Sequence, residues 1–152
     1  WAREVPGISG AACVPLWNGA GTVKVIVAGQ GMTPVDSTTL DAVADHIEEV
    51  RPIGASVTVT SVSSLTINVS ATLVLRAGYT LAGVQASAEA ALAAEIARSE
   101  FGATSLPIAH IGAALLTVAG VADYSGLTLN GSAANVALTS EQVPALGTVT
   151  LT

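Results

Sequence analysis

Two histidines and one cysteine are the side chains of this sequence whose types could support catalysis or bind a metal ion: His46, His110 and Cys13. A nucleophile needs a base within hydrogen-bonding distance, and a histidine is the ordinary candidate for that base. Neither histidine stands in a familiar catalytic motif, and no G-x-S-x-G sequence supplies a nucleophile elbow. The sequence therefore predicts no catalytic residues, and we expect that the protein is not an enzyme.

His46 lies on the polar side of a predicted helix, among acidic residues. Pairing with Asp45 or Glu49 could begin a metal site, but no thiolate or second histidine is near in sequence to complete it. An acidic helix face that is exposed to water is the commoner structure. Glu48 and Glu49 point to different parts of the helix surface, so they form no acid and base pair. We predict no metal and no cofactor.

His110 and Cys13 both stand in apolar surroundings. His110 has two interpretations: a core histidine bonded to a backbone carbonyl, or a residue at a partner interface. We favour the first, because no acid lies three or four positions away to orient a catalytic imidazole. Cys13 is the only cysteine, so no intrachain disulfide can form, and its apolar neighbours predict a buried, inert thiol.

Two short motifs match known patterns only in part. Residues 29–31 (GQG) follow a strand but lack the third glycine and the helix start of a pyrophosphate-binding loop, so they predict a turn. Asn68 and Asn130 each begin a glycosylation acceptor pattern, which carries no weight without a secretory signal. The chain starts at Trp1, with neither Met nor a signal peptide, so we expect a piece of a longer protein.

The composition argues against nucleic acid and membrane as partners. Eleven acidic and five basic residues give a formal charge of −6, which repels phosphate, and five aromatic residues offer no stacking platform for bases. The mean hydropathy is +0.64. The longest apolar-rich stretch, residues 108–122, is nevertheless shorter than the ~20 residues that cross a bilayer. We expect a soluble protein with a buried helix at that stretch, several buried aromatic rings and a core of Ala, Val, Leu and Ile.

The first predicted element is a β-hairpin. Its strands are the β-rich residues 11–17 and 22–28, and the glycine-rich residues 18–21 form its loop. Ser37 can cap a helix, which ends near residues 51–52 because proline disfavours helical geometry before it. Its apolar face is formed at i, i+3, i+4 and i+7 by Leu40, Val43, Ala44 and Ile47. A strand at 56–60 follows.

The second half begins with the clearest strand, 65–75, whose side chains alternate between apolar and polar. Thr80 can cap a long helix that reaches Gly102, and another helix covers about 105–120. Asn130-Gly131, between the later β-runs, predicts a hairpin. Those runs are 124–129, 135–138 and 148–151.

The order of elements is ββαβ and then βααβββ, which predicts an α+β fold in which helices pack on one face of antiparallel or mixed sheets. We place a boundary between two lobes near residue 62. The predicted domains are therefore an N-terminal α+β lobe, residues 1–62, and a C-terminal α+β lobe, residues 63–152.

From residue 51 onward the sequence resembles the C-terminal part of the baseplate J-like proteins of contractile-tailed phages and prophages, the family of the Mu-type baseplate wedge protein. Residues 21–27 (GTVKVIV) and the helix after them are similar to the preceding segment of that family. The order of the matching pieces carries the resemblance: 51–55 (RPIGA), 57–59 (VTV), 67–72 (INVSAT), 78–80 (GYT), 111–115 (IGAAL), 120–124 (GVADY), 127–131 (LTLNG) and 141–149 (EQVPALGTV).

The resemblance implies a structural component of a tail baseplate, in the virion tail, assembled in the cytoplasm of the bacterial host. It also implies a homo-oligomer that contacts copies of itself and neighbouring baseplate proteins around the tail tube, and the family offers no catalytic residues to transfer. Mild Ala, Ser and Thr surfaces and free strand edges suit such a docking subunit. The alternative is a carbohydrate- or receptor-binding module of a tail tip, which would need exposed aromatic rings.

Overall fold

The computed structural model describes residues 1–52, 54–99 and 101–152, and it confirms the α+β class. The chain divides into two compact units. The first unit is Trp1–Ser64 with Ser140–Val143, and the second unit is Leu65–Thr139 with Pro144–Thr152. The helices are α1 (Ser37–Val50), α2 (Leu81–Ala97) and α3 (Ile108–Leu116). The strands are β1 (Ile8–Pro15), β2 (Thr22–Gly29), β3 (Ser56–Ser61), β4 (Ser63–Leu75), β5 (Ser105–Leu106), β6 (Val121–Leu129), β7 (Val136–Ala137) and β8 (Gln142–Leu151).

The first unit is built on a three-stranded mixed sheet in the order β1-β2-β3. Strand β1 pairs antiparallel with β2, as the predicted hairpin requires, and β3 pairs parallel with β2. Gly19 and Gly21 in the hairpin loop have φ of 98° and 78°, which glycine adopts without steric penalty. Helix α1 connects the parallel strands and buries Val43 and Ile47 in a core with Val27.

Helix α1 begins one residue earlier than its predicted cap implies. Asp36, and not Ser37, is the N-cap, and its carboxylate accepts a hydrogen bond from the Thr39 N–H at 2.8 Å. The hydrogen bond from Thr39 lowers the pKa of Asp36, because it stabilises the charged form. The helix ends at Val50, just before Arg51 and the proline, as predicted.

The second unit has a sheet in which β4 lies between β6 and β8. The alternation predicted for β4 is confirmed, since Ile67, Val69, Ala71 and Leu73 are buried and the residues between them are exposed. Helices α2 and α3 add their buried residues to the same core. The largest fully buried side chains of this unit include Ile67, Leu92, Ile111, Leu115 and Leu129.

Helix α2 is capped as predicted, by Thr80, whose hydroxyl accepts from the Gly83 N–H at 3.2 Å. The helix ends at Ala97 and not at Gly102. The predicted extension includes Glu100, which like Ile53 lies outside the described residues.

The hairpin predicted at Asn130-Gly131 is wrong in its pairing. Strand β6 pairs with β4, whereas β7 pairs with β5 in a separate two-stranded sheet. Asn130 and Gly131 do form a turn, with φ of 49° and 80°. The Asn130 N–H, however, donates to the Asn68 carbonyl at 2.9 Å, which holds the turn against β4.

Strand β8 is longer than predicted, but its predicted faces are confirmed. Leu151 is buried and Val149 packs against the core, whereas Thr148 and Thr150 are exposed. The Thr152 N–H donates to the Ala71 carbonyl at 3.1 Å, which fixes the end of this strand to β4.

Candidate interaction surfaces

His46 pairs with a residue that is distant in sequence. Its Nε2 lies 2.8 Å from Oε2 of Glu4, on a 3-10 helix at Ala2–Glu4. This contact is the main cause that lowers the pKa of Glu4. Pairing of His46 with Asp45 or Glu49 is therefore not seen, and the histidine serves to tie the 3-10 helix to α1.

His110 is exposed, with 63% of its side chain accessible, so the core-histidine interpretation is wrong. The buried residues beside it on α3 are Ile111 and Leu115, which turn the imidazole away from the core. Nδ1 of His110 lies 3.6 Å from Oε1 of Glu95 on α2, and Oε2 of Glu95 lies 3.3 Å from the Arg98 guanidinium.

The cluster of Glu95, Arg98 and His110 lines a cleft of about 330 Å³ in the second unit. Ser99 and Ser105 also line it, but within the described residues the His110 ring has no hydrogen bond to a hydroxyl or thiol group. In this arrangement Glu95 of α2 lies between the Arg98 guanidinium and the His110 imidazole of α3. In the described ranges, no three His, Cys, Asp or Glu side chains lie together in a group that could hold a metal ion.

Cys13 is exposed, so the prediction of a buried thiol is wrong. The physical reason is its place in β1, an edge strand of the first unit's sheet. The apolar residues around Cys13 line a groove that is open to solvent, and they are not part of a closed core.

This groove, which we call the α1 groove, lies between the sheet face and the end of α1 and encloses about 430 Å³. Arg51 is the charged residue among those that line it, and both oxygens of Glu48 accept hydrogen bonds from that guanidinium at 2.5 Å. The bond lowers the pKa of Glu48 and raises that of Arg51. The groove is also lined by Trp1, Cys13, Val23, Val25, Ile47 and Val57.

The aromatic residues are more exposed than the sequence suggested. Trp1, Trp17 and Tyr79 are 57%, 40% and 48% exposed. The Lys24 ammonium lies 4.2 Å from the Trp17 ring centroid and 2.7 Å from Oε1 of Glu141.

Free strand edges occur in both units. Strands β1 and β3 are the edges of the first sheet, and β6 and β8 are the edges of the second. The sequences of β1, β3 and β8 contain no charged residue. Charges are a common means of preventing strand pairing between chains, and these three strands lack that protection.

Comparison with known proteins gives these surfaces a context. Residues 1–61 match the baseplate J-like central domain, and residues 67–152 match the baseplate J-like protein C-terminal domain. The chain belongs to the baseplate J-like protein family. The resemblance stated from the sequence is thereby confirmed.

Two similar proteins come from Bacillus subtilis strain 168. One is the phage-like element PBSX protein XkdT, 30% identical over 156 residues, and the other is the uncharacterized protein YqbT, 28% identical over 158 residues. The matches cover 98% and 99% of this chain but 45% of each relative, so the chain spans less than half of their length.

A solved structure shares the fold. A chain in the cryo-EM structure of the anti-feeding prophage baseplate, 6-fold symmetrised, matches with a TM-score of 0.63 and 14% identity. The match covers 86% of this chain and 30% of that chain. No helix in the described part of the protein is long and apolar enough to cross a membrane.

Proposed function

We propose that this chain is a structural component of the baseplate of a contractile phage or prophage tail, where it mediates protein–protein assembly around the tail tube. The observation that carries the proposal is the match of two baseplate J-like domains in order over residues 1–61 and 67–152. The shared fold with a chain of a prophage baseplate supports the same role. Its place would be the virion tail, after assembly in the cytoplasm of the bacterial host.

The surfaces of the chain support docking better than catalysis. The α1 groove is apolar and open, and three edge strands carry no charge. The free energy falls when another protein covers an apolar groove or pairs its backbone with a strand edge. We therefore propose that the chain is not an enzyme and that it has no catalytic, cofactor-binding or metal-binding residues.

We propose that the partners are copies of this chain and neighbouring baseplate proteins, with neither nucleic acid nor membrane among them. Identical subunits arranged around an axis need repeated contacts of one kind, which makes a homo-oligomer the expected form. We also propose that residues 1–62 and 63–152 act as separate lobes, each of which contributes its own contacts.

Sedimentation across a concentration series tests the self-association part of the proposal. We expect the sedimentation coefficient to rise with concentration, and we expect co-expressed neighbouring tail proteins to co-purify with the chain. A strict monomer that captures no neighbour from its own tail operon would contradict the assembly role.

A carbohydrate-binding module is the second candidate, and the exposure of Trp1, Trp17 and Tyr79 is the observation that favours it. Sugar binding uses the open face of a ring. The Trp17 ring, however, is already contacted by Lys24, and Tyr79 lies against Gly120 so closely that a Cβ there would be 2.2 Å from the Tyr79 ring. A sugar-array screen distinguishes the two candidates, and we expect no specific glycan signal.

A further inference from the structure

Two Asn-Gly pairs, Asn18-Gly19 and Asn130-Gly131, give this chain a chemistry that needs no other protein. In such a pair the backbone nitrogen of the glycine can attack the side-chain amide carbon Cγ of the asparagine, because glycine has no Cβ to obstruct the approach. The new N–Cγ bond forms, the Cγ–Nδ2 bond breaks, and the proton of the glycine N–H leaves with the amino group as ammonia. Water then opens the cyclic imide on either side. The product is aspartate or isoaspartate, so a neutral amide becomes a carboxylate.

The fold restrains Asn130 against this reaction. Attack requires the amide carbon to turn onto the next backbone nitrogen. Oδ1 of Asn130, however, accepts from the Asn68 N–H at 2.8 Å, and Nδ2 donates to the Thr66 carbonyl at 3.1 Å. Both hydrogen bonds must break before the amide can turn. Two partly exposed bonds slow the reaction about five- to thirtyfold relative to an unfolded chain.

Asn18 has no such restraint. It is exposed in the loop that joins β1 to β2, and its backbone N–H donates to the Thr22 hydroxyl at 3.0 Å. Within the described residues, no hydrogen bond involves the Asn18 side-chain amide. The attacking Gly19 N–H donates to the Leu16 carbonyl at 3.2 Å, a single long bond in a loop open to water. That bond slows the reaction only about two- to threefold.

We propose that Asn18 is a site of spontaneous deamidation in the folded protein, and that the hydrogen bonds to β4 protect Asn130 until the second unit opens. The reaction at Asn18 consumes water, releases ammonia and adds one negative charge to the loop between β1 and β2. It needs no partner, so this inference does not rest on the proposed function.

The test compares each site with itself in the folded and the unfolded chain. The complete chain is incubated at mildly alkaline pH, with and without guanidinium chloride, and samples are digested with trypsin. Cleavage after Arg3, Lys24 and Arg98 places the two sites on different peptides, 4–24 and 99–152. Mass spectrometry then measures the replacement of an amide by a carboxylate at each site over time.

We expect folding to slow the reaction about threefold or less at Asn18 and about five- to thirtyfold at Asn130. The comparison within each site removes any difference in intrinsic reactivity between the two pairs. Equal slowing at the two sites, or greater slowing at Asn18, would overturn the proposal.

Two variants assign the product in the folded chain. The enzyme protein isoaspartyl methyltransferase adds a labelled methyl group to isoaspartate and so reports its amount. Asn18→Ala should remove most of this label from the aged folded protein. Asn130→Gly, the matched control that accepts the positive φ of its position, should leave the label nearly unchanged. Circular dichroism checks that each variant is folded.

The label also gives the results that would contradict the assignment. If Asn18→Ala keeps the label of the parent, another residue is the site and the proposal fails. If Asn130→Gly removes the label instead, the hydrogen bonds to β4 do not protect Asn130 and the proposal also fails. Neither result would alter the proposed baseplate role, which depends on other surfaces.

Discussion

Asn130 offers a graded test of how the second unit holds its longest strand in place. The residue follows β6 with φ of 49°, a left-handed conformation that Asn tolerates better than most residues. Its side-chain Oδ1 accepts from the Asn68 N–H at 2.8 Å, and its Nδ2 donates to the Thr66 carbonyl at 3.1 Å. One side chain therefore provides two hydrogen bonds to β4.

The expected losses follow from these contacts. Asn130→Gly removes two side-chain hydrogen bonds but accepts the positive φ, and we expect it to lower the free energy of unfolding by about 1–2 kcal/mol, because each bond is partly exposed. Asn130→Ala removes the same bonds and adds the left-handed strain of a residue with a Cβ, which brings the total to about 2–4 kcal/mol. Asn18→Ala in the β1–β2 loop is the matched control, and we expect little change.

Urea unfolding followed by far-UV circular dichroism measures these differences. Tryptophan fluorescence is recorded in parallel, because Trp1 and Trp17 both lie in the first unit and so report on it alone. Equal destabilisation by Gly and Ala would refute the argument from φ. If neither variant shifts the transition, the hydrogen bonds to β4 do not hold the turn.

Three further predictions test other parts of the structure. Leu92→Ala should lower the free energy of unfolding by about 2–5 kcal/mol through a core cavity, while the exposed Glu89→Ala on the same helix changes it little. Cys13 should react fully with a thiol reagent in the native chain, and protection until unfolding would contradict its exposure. Arg51→Gln should raise the pKa of Glu48 toward its ordinary value, measured by NMR titration. Because the folded-state pKa is lowered, the stabilisation from this pair is present above the unfolded carboxylate's pKa and is lost as pH falls through the folded value.

Local patterns in the sequence predicted the elements well where one face of an element is buried. The alternation of 65–75 and the cap at Thr80 are both confirmed, because each depends on neighbours a few residues away. The α+β class followed from the order of these elements. The partner of strand β6 could not be predicted in the same way. The choice of β4 over β7 depends on contacts with Asn68, which is 62 residues away in sequence from Asn130.

The candidate site residues also show that contacts between distant parts of the sequence are not predicted by local patterns. His46 finds its partner in Glu4 and His110 in Glu95, and no spacing rule relates residues that are brought together only by folding. The burial of Cys13 was predicted wrongly because an apolar stretch has the same composition whether it lies in a core or in an open groove. The family was recognisable from the sequence because the order of many short pieces is itself a sequence property.

Localisation of the chain within contractile tails tests the central claim most directly. Tails are purified from the host that encodes the chain, labelled with gold-conjugated antibody raised against residues 1–152, and viewed by electron microscopy, with tails from an in-frame deletion strain as the control. The assembly account predicts label at the baseplate end of intact tails and tails without complete baseplates in the deletion strain. Label that is absent from the tails, or complete and functional baseplates in the deletion strain, would contradict it.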